Sequence, residues 1–241
     1  TETDITDLNI ELNAVYYTDY KSINISNISF NTNSPLSVKK LKLNANLNEK
    51  DTTTDLWGFE LETNRSDIKI YRLYADKFNP FYEFRYDELG NKDIKASIDI
   101  QKFNFDDLTF FIPGLGFLDS TVSVKLDAEG KYGDLNARVL NANLKNTRLS
   151  FSGNIKNLQM PESLYFDITG KDLVIDPAEI NSVYIEELPV PKQTGIINGD
   201  INYKGTYYVF SSDFRFNSAA GTAEGRLNLD LPNEIYSGEI F

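Results

Sequence analysis

The chain has 241 residues, with 24 basic and 36 acidic side chains and a formal charge of −12. That length holds one large all-β domain or a section of a longer array, and that charge argues against a nucleic-acid backbone as partner. It contains no cysteine and no histidine. Disulfides and thiolate metal sites are therefore excluded, along with the usual general base near neutral pH and the commonest metal ligand. No stretch approaches the roughly 18 consecutive apolar residues of a transmembrane helix. The opening residues TETDITDLNIELN lack the basic and apolar regions of a signal peptide. The last residues, Tyr236 to Phe241, read as the middle of a strand, so the sequence is expected to be a piece of a longer protein.

In chain order, alternation begins at Ile5, Leu8, Ile10 and Leu12, then at Ile23 and Ile25, and at Ile28 and Phe30. Successive side chains of a strand point to opposite faces, so this spelling predicts strands with one apolar face and one wet face. Three matches to the glycosylation sequon, at Asn24, Asn27 and Asn64, arise easily in so asparagine-rich a chain. A turn at Asn33-Ser34-Pro35 precedes a strand from Val38 to Leu47, with Leu41, Leu43, Ala45 and Leu47 on one face. Residues Asp51 to Asp55 read as a polar loop, and Leu56 to Leu61 as a strand containing the only tryptophan, Trp57. Ile68 and Ile70 belong to the next strand. An aromatic-rich stretch runs from Tyr74 to Leu89, and Ile94, Ala96, Ile98 and Ile100 mark a further strand.

Two short helices are expected between strands. Asp106 or Asp107 caps the first, which runs to about Ile112 before Pro113; Asp176-Pro177 opens the second, which runs to about Tyr184. The apolar content of the first suits a plug over an open sheet edge. Between the helices lie Val122, Val124, Leu126 and Ala128, then Leu135, Ala137 and Val139, then Leu149 and Phe151. Glu186 to Pro191 forms a stiff connector. Residues 195–203, 207–216 and 221–231 read as three more strands.

Loose internal echoes suggest a repeat. Asp107-Leu108 is echoed by Asp172-Leu173, EGKY at Glu129–Tyr132 by KGTY at Lys204–Tyr207, and SGNIKNL at Ser152–Leu158 by EGRLNLDL at Glu224–Leu231. The whole chain reads as one continuous segment, with candidate units near 36–102, 103–171 and 172–241.

Catalytic patterns do not emerge. Asp106-Asp107 resembles an acid/base pair, but adjacent acids at a helix start are usually caps. Asp127, Glu129 and Asp134 lack the spacing of a calcium loop, and Gly114-x-Gly116 lacks the remainder of a dinucleotide loop. Ser150 and Ser152 alternate with Leu149 and Phe151 as the wet side of a strand. The expectation is a protein that is not an enzyme and needs no cofactor or metal.

The order of these pieces resembles the TamB family of translocation and assembly module subunits, within the broader AsmA/TamB group of bridge-like lipid carriers, in its Bacteroidetes-like version. The matching elements are Asp107-Leu108, Pro113, Gly130, Asp134-Leu135, Thr147 with Leu149, and Gly153 through Leu158. A second round is Asp172-Leu173, the Leu188-Pro189-Val190-Pro191 connector, Gly195, Gly199 and Gly205, and Ser66-Asp67-Ile68 fits an earlier strand. The resemblance spans roughly Leu36 to Leu231. It implies an all-β fold: a long antiparallel sheet curled into an open U-shaped groove, the β-taco, with two short helices. It further implies a place in the periplasm of a Gram-negative bacterium, as part of an envelope-spanning protein anchored in the inner membrane outside this sequence. Phospholipid acyl chains, an outer-membrane barrel of the TamA/BamA kind and a part in outer-membrane protein assembly are the implied partners and role.

On that reading the groove is lined by Leu41, Leu43, Leu47, Ile94, Ile98, Ile100, Val122, Val124, Leu126, Leu135, Val139, Leu149, Phe151, Phe166, Ile168, Ile201, Phe214, Phe216, Leu227 and Leu229. A bulge at Val139-Leu140 would swap the face read downstream of it. Alternation alone is met as well by a closed β-sandwich, such as a surface adhesin or carbohydrate-binding module. The resemblance favours the open trough.

Overall fold

The computed structural model describes residues 4–33, 36–48, 53–77, 89–109, 121–183 and 194–241. The fold is all-β. The strands are β1 (Ile5–Tyr16), β2 (Tyr20–Thr32), β3 (Ser37–Asn48), β4 (Thr53–Thr63), β5 (Asp67–Ala75), β6 (Asp93–Asn104) and β7 (Thr121–Lys131). They continue as β8 (Asp134–Asn143), β9 (Arg148–Lys156), β10 (Tyr165–Ile175), β11 (Ile197–Thr206), β12 (Val209–Ser218), β13 (Gly221–Asp230) and β14 (Ile235–Ile240). Sheet order follows sequence order from β1 to β14. Every described pairing is antiparallel, both where two residues join the strands, as between β11 and β12 and between β12 and β13, and where the connection is longer, as between β5 and β6 and between β10 and β11. Helical structure among the described residues comprises one turn at Asp106–Thr109 (α1), the segment Pro177–Val183 (α2) and a 3-10 turn at Pro161–Ser163.

The chain divides into two compact units, residues 1–85 with 92–127, and residues 86–91 with 128–241. In the first, β1 to β6 pair successively. In the second, β8 to β14 do the same. β7 contributes Thr121–Asp127 to the first unit and Ala128–Lys131 to the second.

Some local expectations need correction. Thr53, Thr54 and Asp55 are part of β4, not of a loop. Thr54 pairs with Leu47 and Ala75, so its position continues an apolar row and the strand extends through it. The expected ends of both helices, Phe110 to Ile112 and Tyr184, lie outside the described residues, as do most of the Tyr74–Leu89 stretch and the Glu186–Pro191 connector.

Within the second unit, similar features recur 72 or 75 residues apart. Gly153 of β9 sits opposite Ile168 of β10, and Gly225 of β13, 72 residues on, sits opposite Ile240 of β14. A Cβ built on either would lie 2.2 Å from a backbone oxygen of the neighbouring strand, that of Asp167 or of Glu239. Asp167 and Glu239 are themselves 72 apart. Gly130 and Gly205, the pair in the echoed EGKY and KGTY strings, both have φ of +145°. Each packs against the strand that returns four residues later, Asp134 in one case and Val209 in the other.

Candidate functional site

The candidate site is the apolar face of the sheet, and strand register shows how it is assembled. In the first unit one row crosses six strands: Ile10, Ile28, Leu41, Leu61, Ile68 and Ile100. A parallel row holds Ala14, Ile23, Ala45, Leu56, Leu73 and Ala96, and Phe59, Ile70 and Ile98 align between them. Leu43 pairs with Ile25, Leu47 with Thr54, and Ile94 with Ala75. Neighbouring strands lie about 4.8 Å apart, so a six-strand row gives roughly 24 Å of apolar surface. Bulges between Ile25 and Ile28 and between Lys42 and Asn44 absorb the extra residues that would otherwise throw these rows out of line.

The second unit builds its face differently, setting rings beside glycines. Phe151, Gly170, Ile201, Phe214, Gly225 and Ile240 form one row. Ile155, Phe166, Gly205, Phe210, Leu229 and Tyr236 form another. A Cβ on Gly170 would come within 2.8 Å of the Phe151 ring, and one on Gly199 within 2.7 Å of the Phe216 ring. The rings thus lie over backbone that carries no side chain. Tyr203 stacks on Phe210 at 4.8 Å between centroids and meets Phe166 edge-on at 6.3 Å. Its hydroxyl donates to the Thr206 carbonyl at 2.6 Å, and burial raises its pKa.

Of the twenty residues expected to line the face, Leu47 and Leu135 are buried and the rest are part-exposed. Register sets those of β3, β6 and β8 to β13 in cross-strand rows, with one exception. Leu135 and Ala137 pair with Ile155 and Gly153, but the next partner, Phe151, is met by Leu140. Val139 therefore sits in a bulge and Leu140 takes its place in the row, because two residues, Arg138 and Val139, stand opposite Ser152 alone. Val122, Val124 and Leu126 alternate along β7 with Ser123, Lys125 and Asp127, and are part-exposed. Leu61, Ile68, Ile70, Ile155 and Phe210 belong to these rows and Tyr203 pairs with Ile168 of the expected lining, yet all six were missing from the sequence-derived lining. Their period-two spacing was the signal that would have found them.

The opposite face is a lattice of polar cross-strand pairs. Arg72 grips Asp55 with two hydrogen bonds of 3.0 and 2.9 Å, and Lys40 pairs with Glu60. In the second unit Arg215 meets Glu224 at 2.8 Å, Arg226 meets Asp213 at 2.6 Å and Lys171 meets Asp200 at 3.2 Å. These six residues line a shallow depression of about 410 Å³, in which each charge faces its opposite. The Asp172 N–H, and then the Lys171 ammonium, hold the Asp200 carboxyl below its ordinary range.

The acidic residues at the helix starts serve as clasps. Asp107, 6% exposed, accepts the hydroxyls of Thr63 at 2.7 Å and Ser66 at 2.6 Å, and the Arg65 Nε–H at 2.7 Å. Arg65 also reaches Asp106 at 3.2 Å. Asp107 thereby ties α1 to the β4–β5 turn. In the second unit Glu179 does the same for α2, accepting the backbone N–H groups of Asn146 at 3.0 Å and Thr147 at 2.7 Å in the β8–β9 turn. Asp107 and Glu179 are 72 residues apart. Asp172, the sequence-derived counterpart of Asp107, lies instead within β10 at a φ of +51°. The oxygens of Asp107 are occupied by structural donors.

Among the described residues no group of acidic side chains is arranged to hold a metal ion, and no helix is long and apolar enough to cross a membrane. Comparison with known protein families, with characterised proteins and with solved structures finds no match to this chain.

Proposed function

We propose that this chain carries phospholipid acyl chains on the apolar face of its sheet, as the periplasmic segment of a TamB-like protein working between the inner and outer membranes. Within that role it takes part in outer-membrane protein assembly with a barrel partner of the TamA/BamA kind. One observation carries the reading. Apolar side chains are aligned row by row across successive strands, yet most of the lining residues stay part-exposed. A core packed against a second sheet buries such side chains almost completely. A face that receives a removable hydrocarbon leaves them partly open.

The energetics suit a carrier. Each methylene removed from water contributes about 0.8 kcal/mol, so a 16-carbon tail gains at most roughly 12 kcal/mol on an apolar face. That suffices to hold a lipid outside a bilayer. Because each row offers similar aliphatic groups from strand to strand, successive positions differ little in energy and sliding meets low barriers. The polar opposite face, with its ion-pair lattice, keeps the sheet soluble.

The test is lipid extraction and mass spectrometry on protein purified without detergent, with Leu126→Asp and Val124→Asp alongside the parent. Stoichiometric phospholipid, lost in folded variants, supports the carrier. A lipid-free parent whose fold collapses on these substitutions refutes it and favours the sandwich-type adhesin or glycan-binding module.

A further inference from the structure

We propose that a second depression on the polar face of the second unit binds a compact zwitterion: a phosphate ester carrying a primary ammonium, such as ethanolamine phosphate, free or as a lipid headgroup. The depression lies on the face opposite the apolar rows. The inference is therefore independent of whether those rows carry acyl chains.

The depression has a volume of about 390 Å³ and is built on one cross-strand row. Register runs from Arg148 of β9 through Val174 and Asn198 to Asn217 and Thr222. Directly opposed residues share a face of the sheet, so these side chains stand side by side. Two of the charges lining the depression are already satisfied. Arg215 holds Glu224 at 2.8 Å, and Asp200 accepts from Lys171 at 3.2 Å and from the Asp172 N–H at 2.9 Å.

The other two are not. Arg65, Arg72, Arg138, Arg215 and Arg226 each meet a carboxylate within 3.2 Å. The Arg148 guanidinium meets none among the described residues, and its cross-strand neighbours are the neutral Asn143 and Val174. The Asp172 carboxylate likewise has neither a cation nor a hydrogen-bond donor among the described residues. Asp172 belongs to a bulge in β10 and has a φ of +51°, a conformation that aspartate tolerates. Arg148 and Asp172 line the same depression but form no ion pair with each other.

A ligand carrying both charges answers both groups. An anion alone would sit near the carboxylates of Asp172 and Asp200, and a cation alone near Arg148 and Arg215. The guanidinium can fork onto two oxygens. The Thr222 hydroxyl donates to Asn217 Oδ1 at 2.6 Å, which leaves the Asn217 amide nitrogen as a donor. The Asn198 side chain has no partner among the described residues. Three donor groups in one row suit the three oxygens of a phosphate ester better than the two of a carboxylate. At the other end, Asp172 accepts N–H bonds, which a primary ammonium supplies and a quaternary one lacks. No aromatic ring lines the depression among the described residues, so the cage that recognises choline is missing.

The test titrates the whole chain with ethanolamine phosphate, phosphocholine and inorganic phosphate, following the side-chain amide signals of Asn198 and Asn217 by NMR. Saturable shifts are expected at about 1 mM ethanolamine phosphate, with the other two compounds at least about fivefold weaker. Arg148→Gln and Asp172→Asn each weaken binding about fivefold. Both residues are exposed, and asparagine also tolerates a positive φ, so the variants stay folded. Flotation with phosphatidylcholine vesicles, with and without phosphatidylethanolamine, distinguishes the two sources. Retention that needs phosphatidylethanolamine and is lost in Arg148→Gln assigns the headgroup; no retention, with ethanolamine phosphate still bound, assigns the free ester. Phosphocholine or inorganic phosphate binding as tightly as ethanolamine phosphate overturns the inference. So does undiminished binding by both variants, or no saturable shift at about 10 mM.

Discussion

Asp107 offers the sharpest test of how the strands and helices are tied together. Its carboxylate is nearly buried and is held by two hydroxyls and a guanidinium whose side chain is 24% exposed. Asp107→Ala leaves Arg65 with Asp106, the more exposed of its two carboxylate partners, and takes an acceptor from each of two buried hydroxyls. Breaking a buried ion pair by deleting one partner costs about 3–5 kcal/mol. Thr63 and Ser66 limit the loss, because their oxygens still accept the Ser66 and Asn104 N–H groups at 2.7 and 3.0 Å. The lower half of that range is therefore expected, about 3 kcal/mol. Urea denaturation, followed by tryptophan fluorescence from Trp57 in the same unit, measures it. In a double-mutant cycle with Arg65→Ala, at least about 1 kcal/mol of coupling is expected. A destabilisation below about 1 kcal/mol, or additivity with Arg65→Ala, would show that Asp107 is an ordinary helix-start acid and not a clasp.

Three further outcomes follow from particular contacts. Gly153→Ala forces a Cβ within 2.2 Å of the Asp167 carbonyl at a φ of +138°, and is expected to lower stability by about 2–3 kcal/mol. Gly221→Ala has a similar φ of +128° but open space around it, so its cost in the same denaturation assay should be clearly smaller. The Lys40 ammonium, hydrogen-bonded to Glu60, holds that carboxyl below its ordinary value. Its contribution is thus fully present above the ordinary carboxylate range and is lost as pH falls through the depressed folded value. Both side chains are about one-third exposed, so the effect stays below about 1 kcal/mol; a Glu60 titration midpoint at or above the ordinary value would contradict the assignment. Finally, Leu140→Asp should remove bound lipid whereas Val139→Asp should not, measured by the same extraction. Equal loss from both would mean that the bulge does not set the face.

The strands of this protein were legible because period-two alternation is a local property. Each of Leu41, Leu43, Leu47, Ile98 and Ile100 declares its face by its immediate neighbours, without reference to any other strand. Alternation also marked the wet side, including Ser150 and Ser152, which flank Phe151. Even the echo between Gly130 and Gly205 could be seen as a string, although only the structure shows that both occupy the same backbone conformation beside a returning strand.

What remained hidden depended on partners distant in sequence. Asp106 and Asp107 are adjacent acids at a helix start, and nothing local distinguishes a cap from a clasp on a turn more than 40 residues earlier. Glu179 was passed over for Asp172 because a matching Asp-Leu dipeptide carries no information about which carboxylate reaches the β8–β9 turn. Thr54 read as a loop residue until its pairing with Leu47 and Ala75 placed it in a row.

The sequence by itself determined an all-β chain with alternating faces, since side-chain direction in a strand is set residue by residue. The tertiary structure alone decided which side chains share a row, where bulges shift the count from Val139 to Leu140, and that most of the row members remain part-exposed. Each of these depends on hydrogen-bonded register between strands, a relation between positions that no single strand encodes.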